Sequence, residues 1–517
     1  MVLLRSIITV GSYTFISRIF GFIRDILIAA FLGTGPIADA FFVAFKIPNF
    51  FRRLFAEGAF SAAFVPLFAS KLTDEGKQAA LRFARAALSI MVVFLFLFVT
   101  LLQILMPWLM YFFAPGFADD AARFPLAVEL TRITFPYLLF ISLVSIFGGV
   151  LNSLGRFAAA AATPIMLNIT LIGMILLATP HLQSAAHSLA WEVFLAGIVQ
   201  LIWLVYICKR EGLFLHLPRP QLSKSIRHLF KLMAPGILGA GVLQINQLVD
   251  VVIASLLPTG AISFLYYSDR ICQLPLGVVG VAIGTALLPV LSRQIRNGND
   301  SGALNSLNRG IEFALLLTIP AVAALFVISQ PIVSVLFERG AFGPFATIAT
   351  SQALMAYATG LPAFVLIKVL APSFFARQDT ATPVKIALVC VFINLVLNIV
   401  LMQIFSHVGI ALATAISAWV NVFLLSICLR ARRQFTVDTK LKKRFLRILL
   451  ATLGMVFALW SISEFFNPLE FNGQGARVGV LAILVFSGGG IYFLFGILLK
   501  AIEINDIKTL FKSNSAD

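Results

Sequence analysis

The sequence predicts an all-α polytopic membrane protein, and three observations lead to this fold class. The chain has 517 residues, of which 60% are hydrophobic and 12% charged, and its mean hydropathy is +0.99. Apolar runs of about 20 residues, enough to cross a bilayer as a helix, recur along the whole chain. Basic residues are concentrated in every second polar break between those runs, which is typical of cytoplasmic loops. Soluble domains of this length lack such a profile.

The apolar runs predict about fourteen transmembrane helices. Their approximate spans are 6–33, 36–70, 79–113, 123–155, 160–179, 187–207, 226–257, 261–292, 304–337, 347–376, 384–405, 408–429, 445–465 and 477–500. The first run is not expected to be a cleaved signal peptide, because Arg18, Arg24 and Asp25 interrupt it and no small-residue cleavage site follows. An even number of crossings places both termini on one side of the membrane.

The net charge of +17 serves mainly as an orientation signal. Breaks on the side of the termini hold most of the lysines and arginines, whereas the opposite side keeps only Arg123, Arg339 and Arg477. This bias predicts that both termini are cytoplasmic and that the charge lies beside anionic headgroups. Nucleic acid is therefore not an expected partner.

Two polar interruptions divide the chain. The segment 209–225 contains Pro218 and Pro220 and is expected to be an interfacial linker, since the prolines prevent one continuous helix. The charged segment 430–447 forms the second break. The predicted domains are an N-terminal lobe (1–208, helices 1–6), the linker, a C-terminal lobe (226–430, helices 7–12) and two further helices with a cytoplasmic tail (431–517).

An internal repeat relates the two lobes at a shift of about 225 residues. Asp25 corresponds to Asp250, and the segment 61–66 (SAAFVP) resembles 284–289 (GTALLP). Because each repeat has six helices, an even number, the two lobes should run parallel. Parallel two-lobe transporters hold their substrate between the lobes, so a central cationic cavity is expected here.

Charged residues within the first two predicted helices are the strongest functional signal. They comprise Arg18, Arg24, Asp25, Asp39, Lys46, Arg52, Arg53 and Glu57, which sum to 5 − 3 = +2. A charge near the bilayer centre costs at least ~2.5–3.5 kcal/mol, so such residues normally face water or one another. A surplus of positive charge suits an anionic, phosphorylated cargo.

The arginines are the predicted substrate contacts, because guanidinium stays protonated and binds phosphate through two parallel hydrogen bonds. Arg18, Arg24 and Arg52 form the first set, and Arg270 beside Asp269 completes a clamp from the second lobe. Asp25 and Asp39 are expected to orient arginines. The alternatives are a self-neutralising network, most plainly Arg53 with Glu57, and a local Asp269–Arg270 pair.

A cation site is a second hypothesis. Asp250 with Asn394, Asn398 and Thr414 would offer oxygen ligands that suit sodium, although interhelical hydrogen bonding explains such residues equally well. The cysteines Cys208, Cys272, Cys390 and Cys428 are expected to be packing residues. No catalytic set and no P-loop motif is present, so an ATP-driven or enzymatic function is disfavoured.

The charged segments resemble the lipid II flippases of the MurJ (MviN) family, within the MOP exporter superfamily. Residues 18–25 read RIFGFIRD, residues 39–60 read DAFFVAFKIPNFFRRLFAEGAF, and FVP follows at 64–66. The resemblance extends to the fourteen helices and the Asp269–Arg270 pair, and so covers nearly the whole chain.

The resemblance implies a fold of two six-helix lobes around a cationic cavity, with the last two helices forming a lipid-facing groove. It implies transfer of undecaprenyl-diphosphate-linked peptidoglycan precursor from the inner to the outer leaflet of the bacterial inner membrane. Arg18, Arg24, Asp39, Arg52 and Arg270 would be its essential cavity residues. Some relatives bind sodium between helices 7, 11 and 12, but this chain has Asn398 where a second acid is expected.

Other functions stay open at this point. A flippase for another undecaprenyl-linked glycan shares the same chemistry. A multidrug exporter of the same superfamily should have an acidic or apolar cavity, and a non-transporting scaffold for cell-wall or division proteins should tolerate neutral residues in place of the arginines. The expected partners are lipid II and membrane lipids, and a monomer suffices for a two-lobed transporter.

Overall fold

The computed structural model describes residues 2–179, 182, 184–214, 216–466 and 473–503, and within them the regular structure is helical throughout. The α-helices are α1 Val2–Leu32, α2 Pro36–Phe51, α3 Ser61–Asp74, α4 Lys77–Ile104, α5 Met106–Phe113, α6 Arg123–Thr134, α7 Tyr137–Ser153, α8 Phe157–Ala178, α9 Ala185–Arg210, α10 Lys224–Ser255, α11 Ala261–Pro275, α12 Val281–Arg296, α13 Asp300–Val327, α14 Ser329–Phe337, α15 Pro344–Phe375, α16 Ala381–Ala431, α17 Thr439–Phe465 and α18 Gln474–Leu498.

The predicted fold class is confirmed, because each predicted apolar span coincides with helix. Two spans, 384–405 and 408–429, lie within the single helix α16, which breaks at Ser406 where the backbone is non-helical (φ 51°, ψ −132°). In the described part of the chain, nine helical segments are long and apolar enough to cross a membrane. The number of fourteen crossings stays a prediction.

The chain divides into two compact units. The first comprises Met1–Ser263 with Arg339–Phe342, and the second comprises Phe264–Glu338 with Gly343–Asp517. Helix α10 belongs to the first unit, where it packs against α3 and the segment between α2 and α3. The domain boundaries predicted from the sequence follow the internal repeat, whereas these two units are defined by contacts within the structure. The predicted boundaries therefore stay predictions.

Matching π-helices support the internal repeat. The π-helix Arg52–Phe60 separates α2 from α3, and the π-helix Leu276–Gly280 separates α11 from α12. π-Helices account for well under 1% of residues in proteins and mark functional sites more often than chance allows. Two at corresponding positions therefore indicate that each half carries the same interruption in its second helix.

Side chains bind several carbonyls that prolines leave without a helical donor. Proline cannot donate to the carbonyl four residues earlier, and a free carbonyl in a membrane is costly. Pro48 frees the carbonyl of Ala44, which accepts from the Thr134 hydroxyl at 2.9 Å. Pro320 frees that of Leu316, to which the hydroxyl of Tyr492 donates at 2.7 Å. Each bond fastens one helix to a neighbour: α2 to α6, and α13 to α18.

An ion network joins α17 to α13 within the second unit. Glu312 on α13 lies between Arg309 and Arg444, and Arg309 also pairs with Asp438 just before α17. Glu312 and Arg444 are both buried, with 3.2 Å between Nη1 of Arg444 and Oε2 of Glu312. Two cations and two anions neutralise one another, which permits their burial.

Candidate anion-binding site

Arg24 is buried in the first unit, within a pair that neutralises its charge. Its Nη2 and Nε donate to Oδ1 of Asp25 at 2.7 and 3.1 Å, and its Nη1 donates to Oδ1 of Asn168 at 2.9 Å. Arg24 is 7% exposed and Asp25 is 3% exposed. These contacts agree with the expectation that Asp25 orients an arginine, and the role of Asp25 in the site stays a prediction.

Asn168 of α8 is a site residue that the sequence analysis did not identify. Its amide donates to the carbonyl of Ser17 at 2.9 Å while its oxygen accepts from Arg24, so one side chain links α8 to α1 twice. A Cβ at Gly21 would lie 3.5 Å from Asn168, an ordinary contact. A lone amide in an otherwise apolar helix was the available signal, since polar residues in membranes usually bond across helices.

Asp39 begins α2 and binds backbone rather than an arginine. Its Oδ2 accepts from the N–H of Gly260 at 2.6 Å, and its Oδ1 accepts from the N–H and hydroxyl of Ser263 at 3.0 and 2.6 Å. These donors lie at the start of α11, where a carboxylate complements the helix dipole. These hydrogen bonds of Asp39 go to Gly260 and Ser263, and the interpretation that Asp39 orients an arginine stays a prediction.

The π-helical segment Arg52–Phe60 presents two arginines. Asn49 donates to the carbonyl of Phe45 at 2.7 Å and accepts from Nε of Arg52 at 3.0 Å, which orients the half-buried Arg52. Arg53 is exposed, and its Nη1 donates to Oε1 of Gln247 on α10 at 2.8 Å. The side chain of Glu57 lies outside the described part of the structure, so the Arg53–Glu57 interpretation stays untested.

A cluster of phenylalanines fixes this segment from its apolar side. Phe51 makes edge contacts with Phe98 and Phe135, at centroid distances of 5.5 and 5.7 Å. Phe55 stacks parallel to Phe51 at 6.1 Å and also meets Phe98 at 5.6 Å. Such aromatic pairs contribute beyond their buried area. The backbone that carries both arginines is therefore held by α4 and α6.

Arg18 and Lys46 flank these residues along their helices. Arg18 lies on an exposed part of α1 seven residues before Asp25, and Lys46 is half-buried on α2. Seven residues separate Arg18 from Asp25 and Lys46 from Arg53, close to two helical turns. Among the members of the charged set whose side chains the structure describes, Arg18 and Arg53 are exposed, whereas the acids Asp25 and Asp39 are buried.

In the second unit, Arg270 is held by an aromatic neighbour. Its guanidinium lies 4.7 Å from the ring centroid of Tyr266, and its Nη2 donates to the hydroxyl of Tyr266 at 3.2 Å. Asp269 accepts from the amide of Gln273. A cation–π contact leaves the charge of an arginine intact, so Arg270 keeps its capacity to bind an anion.

Lys368 of α15 is a further cation that the sequence analysis did not identify. It is exposed, and its stem passes over Gly280 at the end of the second π-helix, where a Cβ would lie 2.9 Å from its Cδ. Its signal in the sequence is a single lysine in the 32-residue apolar helix α15. The second π-helix thus also has a basic residue beside it.

The residues of the cation hypothesis are distributed over two helices. Asn394 and Asn398 are fully buried one turn apart in α16, and the Thr414 hydroxyl donates to the carbonyl of Ile410 at 3.0 Å. Asp250 is half-buried on α10. Their oxygens suit a hard cation, and the site stays a prediction.

Long apolar helices, buried neutralised charges and exposed arginines beside a π-helix define the class of the protein as a polytopic membrane transporter. The fold agrees with this. An inward-facing multidrug resistance MATE family transporter of the MOP superfamily superposes with a TM-score of 0.69 over 83% of this chain and 96% of its own, at 14% sequence identity.

The family follows from sequence. The model of the lipid II flippase MurJ family matches residues 28–474, and the chain belongs to this family. A probable lipid II flippase MurJ of Rhizobium tropici is 42% identical over 515 residues, covering 98% of this chain and 96% of its own. A probable lipid II flippase MurJ of Rhizobium meliloti (strain 1021) is 43% identical over 505 residues, covering 96% of this chain and 94% of its own. A solved structure of a lipid II flippase MurJ in an inward closed conformation superposes with a TM-score of 0.79 at 29% identity. The match covers 95% of this chain and 99% of that chain.

Proposed function

We propose that this protein flips lipid II, the undecaprenyl-diphosphate-linked peptidoglycan precursor, from the inner to the outer leaflet of the bacterial inner membrane. The observation that carries the proposal is the cationic set formed by the exposed Arg18, the half-buried Arg52 and the exposed Arg53 in a chain of the lipid II flippase family. A diphosphate needs a wet, positive environment, while a prenyl tail can stay in the surrounding lipid. The same chemistry would accept another undecaprenyl-linked glycan, but the family favours lipid II.

In this proposal each charged residue has a defined task. Arg18, Arg52, Arg53 and Arg270 bind the diphosphate. Arg24 holds the local structure through Asp25 and Asn168 and exchanges these partners for phosphate during transport. Arginine suits the task because its planar fork matches two phosphate oxygens at once.

Transport would proceed by alternating access, with the membrane potential as a driving force. An inside-negative potential favours outward movement of an anionic head by ~2.3 kcal/mol per charge per 100 mV. Sodium is a proposed coupling ion, held by Asp250, Asn394, Asn398 and Thr414. Asp250 is the one charged ligand of this set, so a bound sodium ion would balance its negative charge.

The protein is a multi-pass membrane protein of a transporter family. We propose that both termini are cytoplasmic, in accordance with the basic loops. We also propose that it acts as a monomer without an enzymatic step, and that cell-wall synthesis or division proteins are its partners.

The test is a leaflet-accessibility assay for lipid II in cells depleted of the protein and complemented with variants. The double variant Arg52→Gln/Arg53→Gln should leave lipid II in the inner leaflet, because it removes two charge-assisted contacts worth about 1.5–3 kcal/mol each. The matched control Arg293→Gln/Arg296→Gln removes two exposed arginines at the end of α12 and should restore transport. Full activity of the first variant would exclude these arginines as cargo ligands. Failure of wild type to restore accessible lipid II would exclude it as the cargo.

A further inference from the structure

A basic cavity opens at the start of α17, away from the charged set described above. It has a volume of about 230 Å³. One water needs only ~10–15 Å³ of such volume, so the cavity has room for a phosphate group with part of its hydration. Its lining consists of Thr439, Lys440, Lys443, Arg444, Arg447 and Glu503. Because Glu312 compensates the charge of Arg444, the remaining three cations and one acid of the lining give 3 − 1 = +2.

The two arginines of this cavity are held in place by the end of α18. Arg444 is buried, and its Nε donates to the carbonyl of Ala501 at 2.6 Å while its Nη1 meets Glu312 at 3.2 Å. Nη1 of Arg447 donates to the carbonyl of Lys500 at 3.1 Å. Both guanidinium groups are therefore ordered before any ligand binds, which lowers the entropic cost of binding.

The same helix continues into an apolar stripe that faces outward. Leu446, Leu450, Leu453 and Phe457 follow Lys443 at intervals of three and four residues, so they share one face of α17 with it. Their exposed fractions lie between 47% and 70%. A cationic cavity directly above exposed apolar side chains matches a molecule with an anionic head and acyl chains.

We propose that this cavity binds the phosphate headgroup of an anionic phospholipid, with the acyl chains along the α17 stripe. Basic pockets between transmembrane helices on the side of the basic loops take such headgroups. Lys440 and Lys443 are exposed and contact the phosphate, while Arg444 and Arg447 stay fixed on α18. The bound lipid thereby joins the start of α17 to the end of α18. This lipid is distinct from the transported cargo, and its site does not depend on the flippase proposal.

The experiment titrates the purified full chain in detergent with dioleoyl-phosphatidylglycerol or dioleoyl-phosphatidylcholine and counts bound lipid by native mass spectrometry. The variant Lys440→Gln/Lys443→Gln should bind phosphatidylglycerol about 30-fold more weakly, at about tenfold per 1.4 kcal/mol and ~1 kcal/mol per lysine. The control Lys385→Gln/Lys442→Gln removes two exposed lysines outside the cavity and should change binding less than threefold.

Three outcomes would overturn the proposal. Equal losses in both double variants would mean that binding is general surface attraction. If wild type binds phosphatidylcholine as strongly as phosphatidylglycerol, the cavity does not recognise an anionic headgroup. Displacement of phosphatidylglycerol by inorganic phosphate at the same concentration would mean that the cavity takes free phosphate. A thermal unfolding scan of each variant separates loss of binding from loss of fold.

Discussion

Arg24 and Arg53 lie in the same unit of the protein, yet their surroundings are opposite. Arg24 is buried and makes three hydrogen bonds to Asp25 and Asn168, whereas Arg53 is exposed and donates to the amide oxygen of Gln247. A buried charge must be compensated within the protein, while an exposed one can exchange its partner for a ligand. The comparison teaches that charges within an apolar sequence can lie in two distinct environments: the charge of Arg24 is compensated inside the protein, whereas that of Arg53 is accessible to a ligand.

The largest expected effect on stability is that of Arg24→Ala. Removing the guanidinium leaves Asp25 buried without its cation, which costs about 3–5 kcal/mol. The free energy of unfolding in detergent measures the loss. The double variant Arg24→Ala/Asp25→Ala serves as the control and should recover part of it, since it removes both charges. No recovery would show that Asn168, rather than Asp25, is the important partner.

Asp39→Asn tests whether a buried acid bound to backbone behaves like the Arg24 pair. The amide group cannot accept from all three donors of Gly260 and Ser263, so we expect a loss of about 2–3 kcal/mol. Ser263→Ala removes one hydroxyl donor and should cost about 1 kcal/mol. Denaturant unfolding of both variants gives the comparison. Equal losses would mean that the negative charge of Asp39 contributes nothing.

Arg53→Gln should leave stability within about 0.5 kcal/mol of wild type, because the side chain is exposed. Transport of lipid II should nevertheless fall, and this combination separates recognition from stability. The measurement pairs an unfolding curve with the leaflet-accessibility assay on the same variant. A stability loss as large as that of Arg24→Ala would contradict the distinction between the two arginines.

The smallest effect on stability is expected at Asp379, which lies in the turn between α15 and α16 and forms an ion pair with Arg432. The Thr382 hydroxyl and the Arg432 guanidinium, with the Thr382 N–H, hold the pKa of Asp379 well below its usual 3.8. A lowered pKa contributes stability above pH 3.8 that is lost as the pH falls further. Asp379→Asn should therefore flatten the acid limb of the stability curve slightly. An unchanged acid limb would show that the pair contributes nothing, as many exposed ion pairs do.

The sequence allowed the helices to be predicted because hydrophobic length and periodicity are local properties. Every predicted apolar span coincides with helix, and the join of two spans in α16 falls at the Ser406 break. The sequence could not show the π-helices, because that backbone conformation has no hydrophobic period of its own in the sequence. Nor could it show that α10 packs in the first unit, since contact partners lie far apart in the chain.

The charged set was recognisable from sequence because ionised side chains are rare within apolar runs. Composition could not tell the role of each member. Asn168 and Lys368 were missed, since Asn168 is the one amide of α8 and Lys368 the one charged residue of α15. Asp39 was expected beside an arginine, but a backbone partner more than 200 residues away carries no sequence signal.

The sequence by itself therefore determined the class of fold, the family and the surplus of positive charge, all of which follow from composition, length and motif. Tertiary structure alone decided which charges are compensated inside the protein and which stay accessible. The physical reason is that burial and partner geometry depend on neighbours from distant helices. Two arginines identical in sequence terms thus become a structural residue in α1 and a candidate ligand residue in the first π-helix.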